Sequence, residues 1–338
     1  MADKEREWTE ATGGAPLLSA EDAPAVQRYL QEINFLIPGE RLADLAPAGE
    51  GNMNVTLRVT TTRRCFILKQ SRPWVARYPD IPAPPERVLI ERDFQRAILR
   101  DHFLTGHMPE LLRADPRAFV LLYEDLDPDG DLTEAYADDG GFTRRQLAAL
   151  LRYAGQLHGL RVTDFPENRA MRTLNHAHVF DLPFRPDNGF PLEAIYPGLA
   201  RVARPLQHDR RLRGAVAELG QLYLSAGPCL IHGDYHPGSF LEANHRVYVI
   251  DTEFAHLGRP EFDLGVLMAH LLLSRASEKR ILQIETDYAR PPGFDVGLMR
   301  GFCCVEIIRR LIGIAQLPLP IGLDERRDLL ERASAELR

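Results

Sequence analysis

The chain has 338 residues, 45% of them apolar and 26% charged, which is the balance of a soluble globular protein with length for two domains. A formal net charge of −7 excludes nucleic acid as the main partner and leaves room for a local basic pocket. No apolar run is long enough to span a bilayer, and the charged opening Met-Ala-Asp-Lys-Glu-Arg-Glu lacks the apolar core of a signal peptide.

Residues 1–20 are polar and contain glycine, which predicts a frayed, disordered tail. Val26, Leu30 and Ile33 share one side of a helix over Ala23–Leu36, ended by Pro38-Gly39. The period then changes to that of strands, at Leu42–Leu45, Val55–Thr60 and Cys65–Lys69. Gly49 and Gly51 lie in the first connection. They would let backbone N–H groups approach a phosphate without a Cβ in the way, although a hairpin turn is the plainer reading of Gly-x-Gly alone. Lys69 ends a strand that reads as buried, where a lysine commonly snorkels to solvent. Arg72–Pro79 is Pro-containing and aromatic-basic, a surface loop around a packed Trp74 or a lid near a ligand. Pro85–Leu99 is a predicted helix with Val88, Phe94 and Ile98 as apolar positions; it also carries Glu86 and Glu91. Ala118–Tyr123 is a strand that Glu124-Asp125-Leu126 leaves, and 127–141 is an acidic linker. These breaks divide the chain into a tail (1–20), a first domain (21–126) and a second (127–338). The four cysteines, Cys65, Cys229, Cys303 and Cys304, have no Cys-x-x-Cys spacing and sit beside apolar neighbours. They read as buried free thiols of a cytoplasmic protein.

In the second domain, Leu147, Leu150, Leu151, Ala154 and Leu157 form one stripe of a helix over Thr143–Leu160 that Thr143 can cap; His158 reads as packed or capping. Residues 161–206 are rich in Pro, Asn and Arg and predict an insertion that shapes access to a site. His176 and His178 lie two apart there, without an evident third metal ligand. After a helix over Leu212–Leu224 come two apolar strands, Cys229–Ile231 and Val247–Ile250, each followed by acids. The first leads to Asp234. The second leads to Asp251 and Glu253, which share one side if the chain stays extended. A lone carboxylate can accept a proton from a hydroxyl and a carboxylate pair can hold Mg²⁺, a division of labour that phosphoryl transfer needs. Asp263 opens an apolar helix and is placed to cap it or to tie back to the preceding loop. The last strong helix, Asp295–Ile314, carries adjacent Arg309 and Arg310 between apolar residues. Neighbouring helix residues point about 100° apart, so the two cannot easily both face solvent. They read either as snorkelling or pairing with Glu306, or as a guanidinium fork for hydroxyls or phosphate.

His-Gly-Asp-x-His-x-Gly at His232–Gly238, followed by Ile250-Asp251-Thr252-Glu253, resembles the catalytic and metal-binding loops of the aminoglycoside phosphotransferase-like kinases, small-molecule relatives of protein kinases. Gly49–Asn54, Ile67–Gln70, His232–Ser239, Asp251–Ala255, Phe262–Gly265 and Glu306–Gly313 together, in order over roughly residues 25–320, resemble the 5-methylthioribose kinase branch. The resemblance implies an α+β, protein-kinase-like, two-lobed fold with a small β-rich N-lobe and a larger, mainly helical C-lobe. It implies transfer of the ATP γ-phosphate to a sugar hydroxyl, C1 of a 5-modified ribose. Asp234 would be the catalytic carboxylate and would meet the acceptor. Asp251 and Glu253, with Ser239, would bind Mg²⁺. Lys69 would hold the ATP phosphates, oriented by Glu91 in preference to Glu86. Gly49, Gly51, Asn52 and Asn54 would line the nucleotide, and Glu124 and Leu126 would meet adenine through their backbone groups. Arg309 and Arg310 would contact the sugar or its new phosphate. An aminoglycoside, choline or other small-molecule kinase of the same fold, or a non-catalytic nucleotide-binding protein, is the alternative, and a homodimer is left open. The acidic run over 125–139 would suit a polycationic acceptor, whereas Arg309 and Arg310 argue against one.

Overall fold

The computed structural model describes residues 2–49, 51, 53–137 and 141–338. The chain divides into two compact units, Met1–Pro128 and Asp129–Arg338.

In the first unit, α1 (Ala2–Thr12) and α2 (Ala23–Glu32) precede a five-stranded sheet. The segment expected to fray is ordered. Trp8 is buried against Trp74, Val88, Phe119, Leu121 and Tyr123, and its indole N–H donates to Ala15 O at 2.6 Å. Leu18 is also buried, and its N–H donates to Gln70 Oε1. A single large aromatic supplies the anchoring area that the polar composition hides. Asp22 caps α2 by accepting the N–H of Ala25. The helix stops short of the expected Leu36 because Asn34 takes a left-handed backbone, φ 53°.

The sheet joins β1 (Leu42–Pro47), β2 (Val55–Thr61), β3 (Cys65–Gln70), β6 (Leu111–Asp115) and β7 (Val120–Glu124), in the order β1-β2-β3-β7-β6 with every pair antiparallel. β4 (Trp74–Val75) and β5 (Tyr78–Pro82) turn the aromatic-basic segment into a hairpin with Trp74 buried. α3 (Arg87–Ile98) buries Val88, Phe94 and Ile98, and α4 (His102–Thr105) follows. Cys65 is exposed at the start of β3, unlike the other three cysteines, because it opens the strand rather than lying inside it.

Arg87 begins α3 and is almost wholly buried. It donates to Asn54 Oδ1 and to the carbonyls of Met53, Arg72, Pro84 and Trp74, so one guanidinium ties the turn before β2, the β4–β5 hairpin and α3 together. Arg87→Ala leaves several of these acceptors buried and unpaired and is expected to destabilise the protein by about 3 kcal/mol or more. A shift of the urea midpoint in chemical denaturation checks this; an unshifted midpoint refutes it.

In the second unit, β8 (Gly130–Asp131), β10 (Phe240–Ala243) and β11 (Arg246–Val249) form one small sheet, and β9 (Cys229–Ile231) pairs with β12 (His256–Gly258). Asn244 and His245, both at positive φ, make the tight turn of the β10–β11 hairpin. α5 (Arg144–Gly159) starts at the expected cap, a reciprocal pair in which Thr143 and Gln146 each accept the other's backbone N–H. The expected irregular insertion is partly helical: α6 (Arg169–His176), a π-helical turn over Ala177–Asp181, α7 (Leu192–Ile195) and α8 (Leu199–His208). α9 (Arg210–Leu224), α10 (Pro260–Leu273), α11 (Glu278–Asp287), α12 (Val296–Ile312) and α13 (Leu323–Glu336) complete it.

α10 is buried nearly all round its circumference, as its apolar sequence requires. Each such Leu, Val or Phe contributes about 1.5–3 kcal/mol relative to exposure. It crosses α12 where Gly265 has no side chain. A Cβ there would stand 2.7 Å from Met299 O and 2.8 Å from Phe302 Cβ. That close approach brings His270 of α10 against Glu306 of α12, one turn farther along each helix.

Candidate active site

The two units each carry part of the sequence-predicted set. In the first, the alternation of β3 turns Lys69 inward, and its buried ammonium pairs with Glu91 of α3 at 2.6 Å. It does not snorkel. Tyr123 of β7 donates its hydroxyl to Glu91 Oε2 at 3.2 Å, which fixes the carboxylate. Glu86 instead sits just outside α3 at its N-terminus. Gly49 takes φ +75°, a backbone that favours glycine, and open space lies where a Cβ of Gly49 or Gly51 would stand. Asn52 lies outside the described residues. Asn54 is buried and accepts from Arg87, so its carbonyl oxygen is committed to holding the turn. Glu124 spends its N–H on Glu110 O, and its carboxylate accepts the N–H of Glu110. Asp125 is held by Arg58, and Leu126 is half-buried beyond the strand end.

In the second unit, His232–Asp234 leave β9 and are fixed from several sides. Asp263, fully buried, accepts the N–H groups of His232 at 2.7 Å and Gly233 at 2.9 Å. His158 Nε2 approaches the same carboxylate at 3.1 Å. Burial alone would raise the Asp263 carboxyl; His158 and His232 outweigh it and hold it below its ordinary value. Asp263 therefore ties the loop down rather than capping α10. His158 is a packed partner, as its position on α5 suggested. Burial also lowers His232, whose neutral ring donates from Nε2 to Ile250 O and accepts the Asp234 N–H at Nδ1. Gly233, φ +82°, is pressed to within 2.4 Å (from an imagined Cβ) of Phe254 O, so no other residue fits.

Asp234 itself faces three cationic or polarisable groups. His236 Nε2 lies 3.2 Å from Oδ2, while Nη2 of Arg309 and of Arg310 lie 3.7 and 3.9 Å from Oδ1. Burial would raise the carboxyl, but His236, Arg310 and Arg309 together hold it well below the usual carboxylate range. Both arginines are buried on α12, so they do not snorkel. Their Nε atoms donate to the two oxygens of Glu306, at 2.6 Å from Arg309 and 2.7 Å from Arg310. The pairing with Glu306 is realised, and it leaves an Nη2 of each arginine facing Asp234. Glu306 and its partners at i+3 and i+4 follow helix spacing. Sequence reasoning missed what stands behind them: His270, which meets Glu306, and Tyr136, which meets His270. A lone histidine inside the apolar run Leu264–Leu273 is the one signal that could have revealed the first.

The acids after β11 do not lie on an extended chain. Asp251 adopts a left-handed backbone, φ 61°, and Thr252–Phe254 make a 3₁₀ turn, so the expected alternation of Asp251 and Glu253 is replaced by a tight reversal. Asn168 clamps this turn by donating to Glu253 O and Ala255 O. Ser239 is buried, and its hydroxyl donates to Asp234 O at 2.9 Å. It braces the Asp234 loop from within. Two hard carboxylates on one turn suit Mg²⁺, which takes few protein ligands and shares itself with phosphate oxygens and water. Among the described residues, no group of three His, Cys, Asp or Glu side chains forms a metal cage of its own. Nor is any helix among them long and apolar enough to cross a membrane.

A β-rich unit with a buried Lys–Glu pair, and a larger helical unit with clamped acidic loops, define a phosphotransferase with the protein-kinase-like fold. Solved structures agree on the fold. An ethanolamine kinase from Plasmodium vivax matches with a TM-score of 0.55 at 10% identity, over 99% of this chain and 95% of that one. A choline kinase from Streptococcus pneumoniae matches at 0.53 and 14%, over 92% and 98%. The model of the phosphotransferase enzyme family matches residues 44–302, and the chain belongs to that family. Curated relatives include a methylthioribose kinase from Erwinia tasmaniensis, 28% identical over 77% of this chain and 67% of that protein. Another, from Exiguobacterium sibiricum, is 26% identical over 93% and 91%.

Proposed function

We propose that the chain is an ATP- and Mg²⁺-dependent kinase that phosphorylates the C1 hydroxyl of 5-methylthioribose or a closely similar 5-modified ribose. The observation that carries this reading is the pair Arg309–Arg310 facing Asp234. A polycationic aminoglycoside or a quaternary ammonium would meet two guanidinium groups beside the carboxylate that must receive it. A neutral sugar meets no such repulsion, and its new phosphate finds two fork-shaped donors. The relatives named methylthioribose kinase support the same acceptor.

In this reading Lys69, oriented by Glu91, holds the ATP phosphates. Gly49, Gly51 and Asn52 shape the turn beside them, and the backbone of Glu124 and Leu126 meets the base. Asp251 and Glu253 hold Mg²⁺, which when bound offsets phosphate charge. Asp234 receives the acceptor hydroxyl. Because its carboxyl is held low, Asp234 is a weak base at rest. It orients the hydroxyl and takes the proton late, as suits a loose phosphoryl-transfer transition state.

The test is ADP release with ATP and Mg²⁺ over methylthioribose, 5-deoxyribose, ribose, kanamycin and choline. Saturable turnover on a 5-modified ribose with product phosphorylated at C1 is the expected result. Turnover confined to kanamycin or choline would discard this acceptor class.

A further inference from the structure

Glu306 has no place in the roles above, yet it is the most heavily engaged side chain on α12. It is 1% exposed and accepts three charged or polar partners: Arg309 Nε, Arg310 Nε and His270 Nε2 at 3.0 Å. Burial would raise its carboxyl, and Arg309, Arg310 and His270 hold it well below its ordinary range, so it is an anion. Burial pushes His270 down to about 3 despite the pull of Glu306, so the ring is neutral. Its Nε2–H must therefore donate to Glu306, which leaves Nδ1 to accept the hydroxyl of Tyr136. Every group in this buried chain has one permitted hydrogen-bond direction.

We infer that Glu306 is a positioning residue: it holds each guanidinium by its Nε edge and so turns both Nη2 groups toward Asp234 while stopping them short of it. The stopping distances are 3.7 and 3.9 Å, outside a hydrogen bond. Two carboxylates and two guanidiniums make the cluster neutral. Because neither Nη2 is hydrogen-bonded to Asp234, an acceptor hydroxyl or transferred phosphate oxygen can bridge them from beside the pair. Without the Glu306 charge, Asp234 is the nearest remaining anion. The arginines then close onto it and spend those donors on it directly. The inference rests on the kinase reading for its consequence in turnover, not for its geometry.

Two substitutions separate charge from shape. Glu306→Gln keeps the volume and loses the anion; Glu306→Asp keeps the anion and loses a methylene. Positioning by charge predicts that E306Q lowers kcat about 100-fold at unchanged nucleotide affinity, and that E306D retains at least tenfold more activity than E306Q. A purely packing role predicts the reverse order, and that order, or wild-type kcat in E306Q, overturns the inference. Should E306Q not fold, Tyr136→Phe, which leaves every charge in place, is expected to lower kcat severalfold, and an unchanged kcat overturns the chain of positioning. The kinetics use whichever acceptor the wild type phosphorylates, so a different acceptor overturns the substrate reading alone. Independently of any acceptor, ¹⁵N NMR should find the Nε–H signals of Arg309 and Arg310 slow to exchange in the wild type and E306D and fast in E306Q. Fast exchange in the wild type overturns the anchor.

Discussion

Asp234→Asn is expected to lower kcat by about a thousandfold, with nucleotide affinity and the circular dichroism spectrum retained. Asn fills the same space, so its neighbours His232 and Ser239 keep their backbone bonds to residue 234. What disappears is the charge that balances one of the two guanidiniums facing it and that, on the proposed reading, accepts the hydroxyl proton. The amide cannot take the proton at all, so no change of pH restores the rate. Steady-state ADP release alongside calorimetric nucleotide titration checks this. A variant with turnover within tenfold of the wild type would remove Asp234 from the chemistry.

The largest effect on stability is expected at Asp263. Asp263→Ala leaves the N–H groups of His232 and Gly233 and the ring of His158 without their shared acceptor in a fully buried place. The expected loss is about 3–5 kcal/mol, read as a fall in the urea midpoint. The pH dependence follows from the sign of the shift. The folded carboxyl lies below the unfolded one, so its contribution is complete above the ordinary carboxylate range. It is lost as pH falls through about 4 and toward the depressed folded value. Asp263→Ala should therefore lose less stability than the wild type between neutral and acid pH. Equal losses would show that the carboxylate does not carry that acid limb.

The parts of the site that were legible in the sequence are those fixed by local spacing. Lys69 and Glu91 lie on separate elements and are paired only by the resemblance to the kinases, and the structure pairs them. Glu306, Arg309 and Arg310 obey helix spacing, and the His232–Ser239 run contains its own turn residues. The expectation failed wherever a single distant contact outweighs composition. Trp8 orders a polar tail. Arg87 ties the turn before β2 from 33 residues away, and Tyr136 reaches His270 across 134. Burial of a polar group shows in a sequence only when its partner lies within a turn or two. The alternation rule failed at Asp251 because it presumes extended backbone, and the left-handed residue there reverses the chain.

The two acid-bearing loops are joined directly to each other as well as to the helices around them. β9 pairs with β12 directly outside them, His232 bonds the carbonyl of Ile250 next to Asp251, and Gly233 lies against Phe254 O. Thermal motion of such a mount is mostly common-mode: it carries the Asp234 loop and the Asp251–Glu253 turn together and leaves the spacing between them unchanged. A differential motion must break a strand pair, a buried imidazole bond and a glycine contact at once. Precision in the placement of Asp234 against Asp251 and Glu253 thus does not demand that the whole helical unit be stiff. The unit can breathe around a loop pair that keeps its own internal ruler.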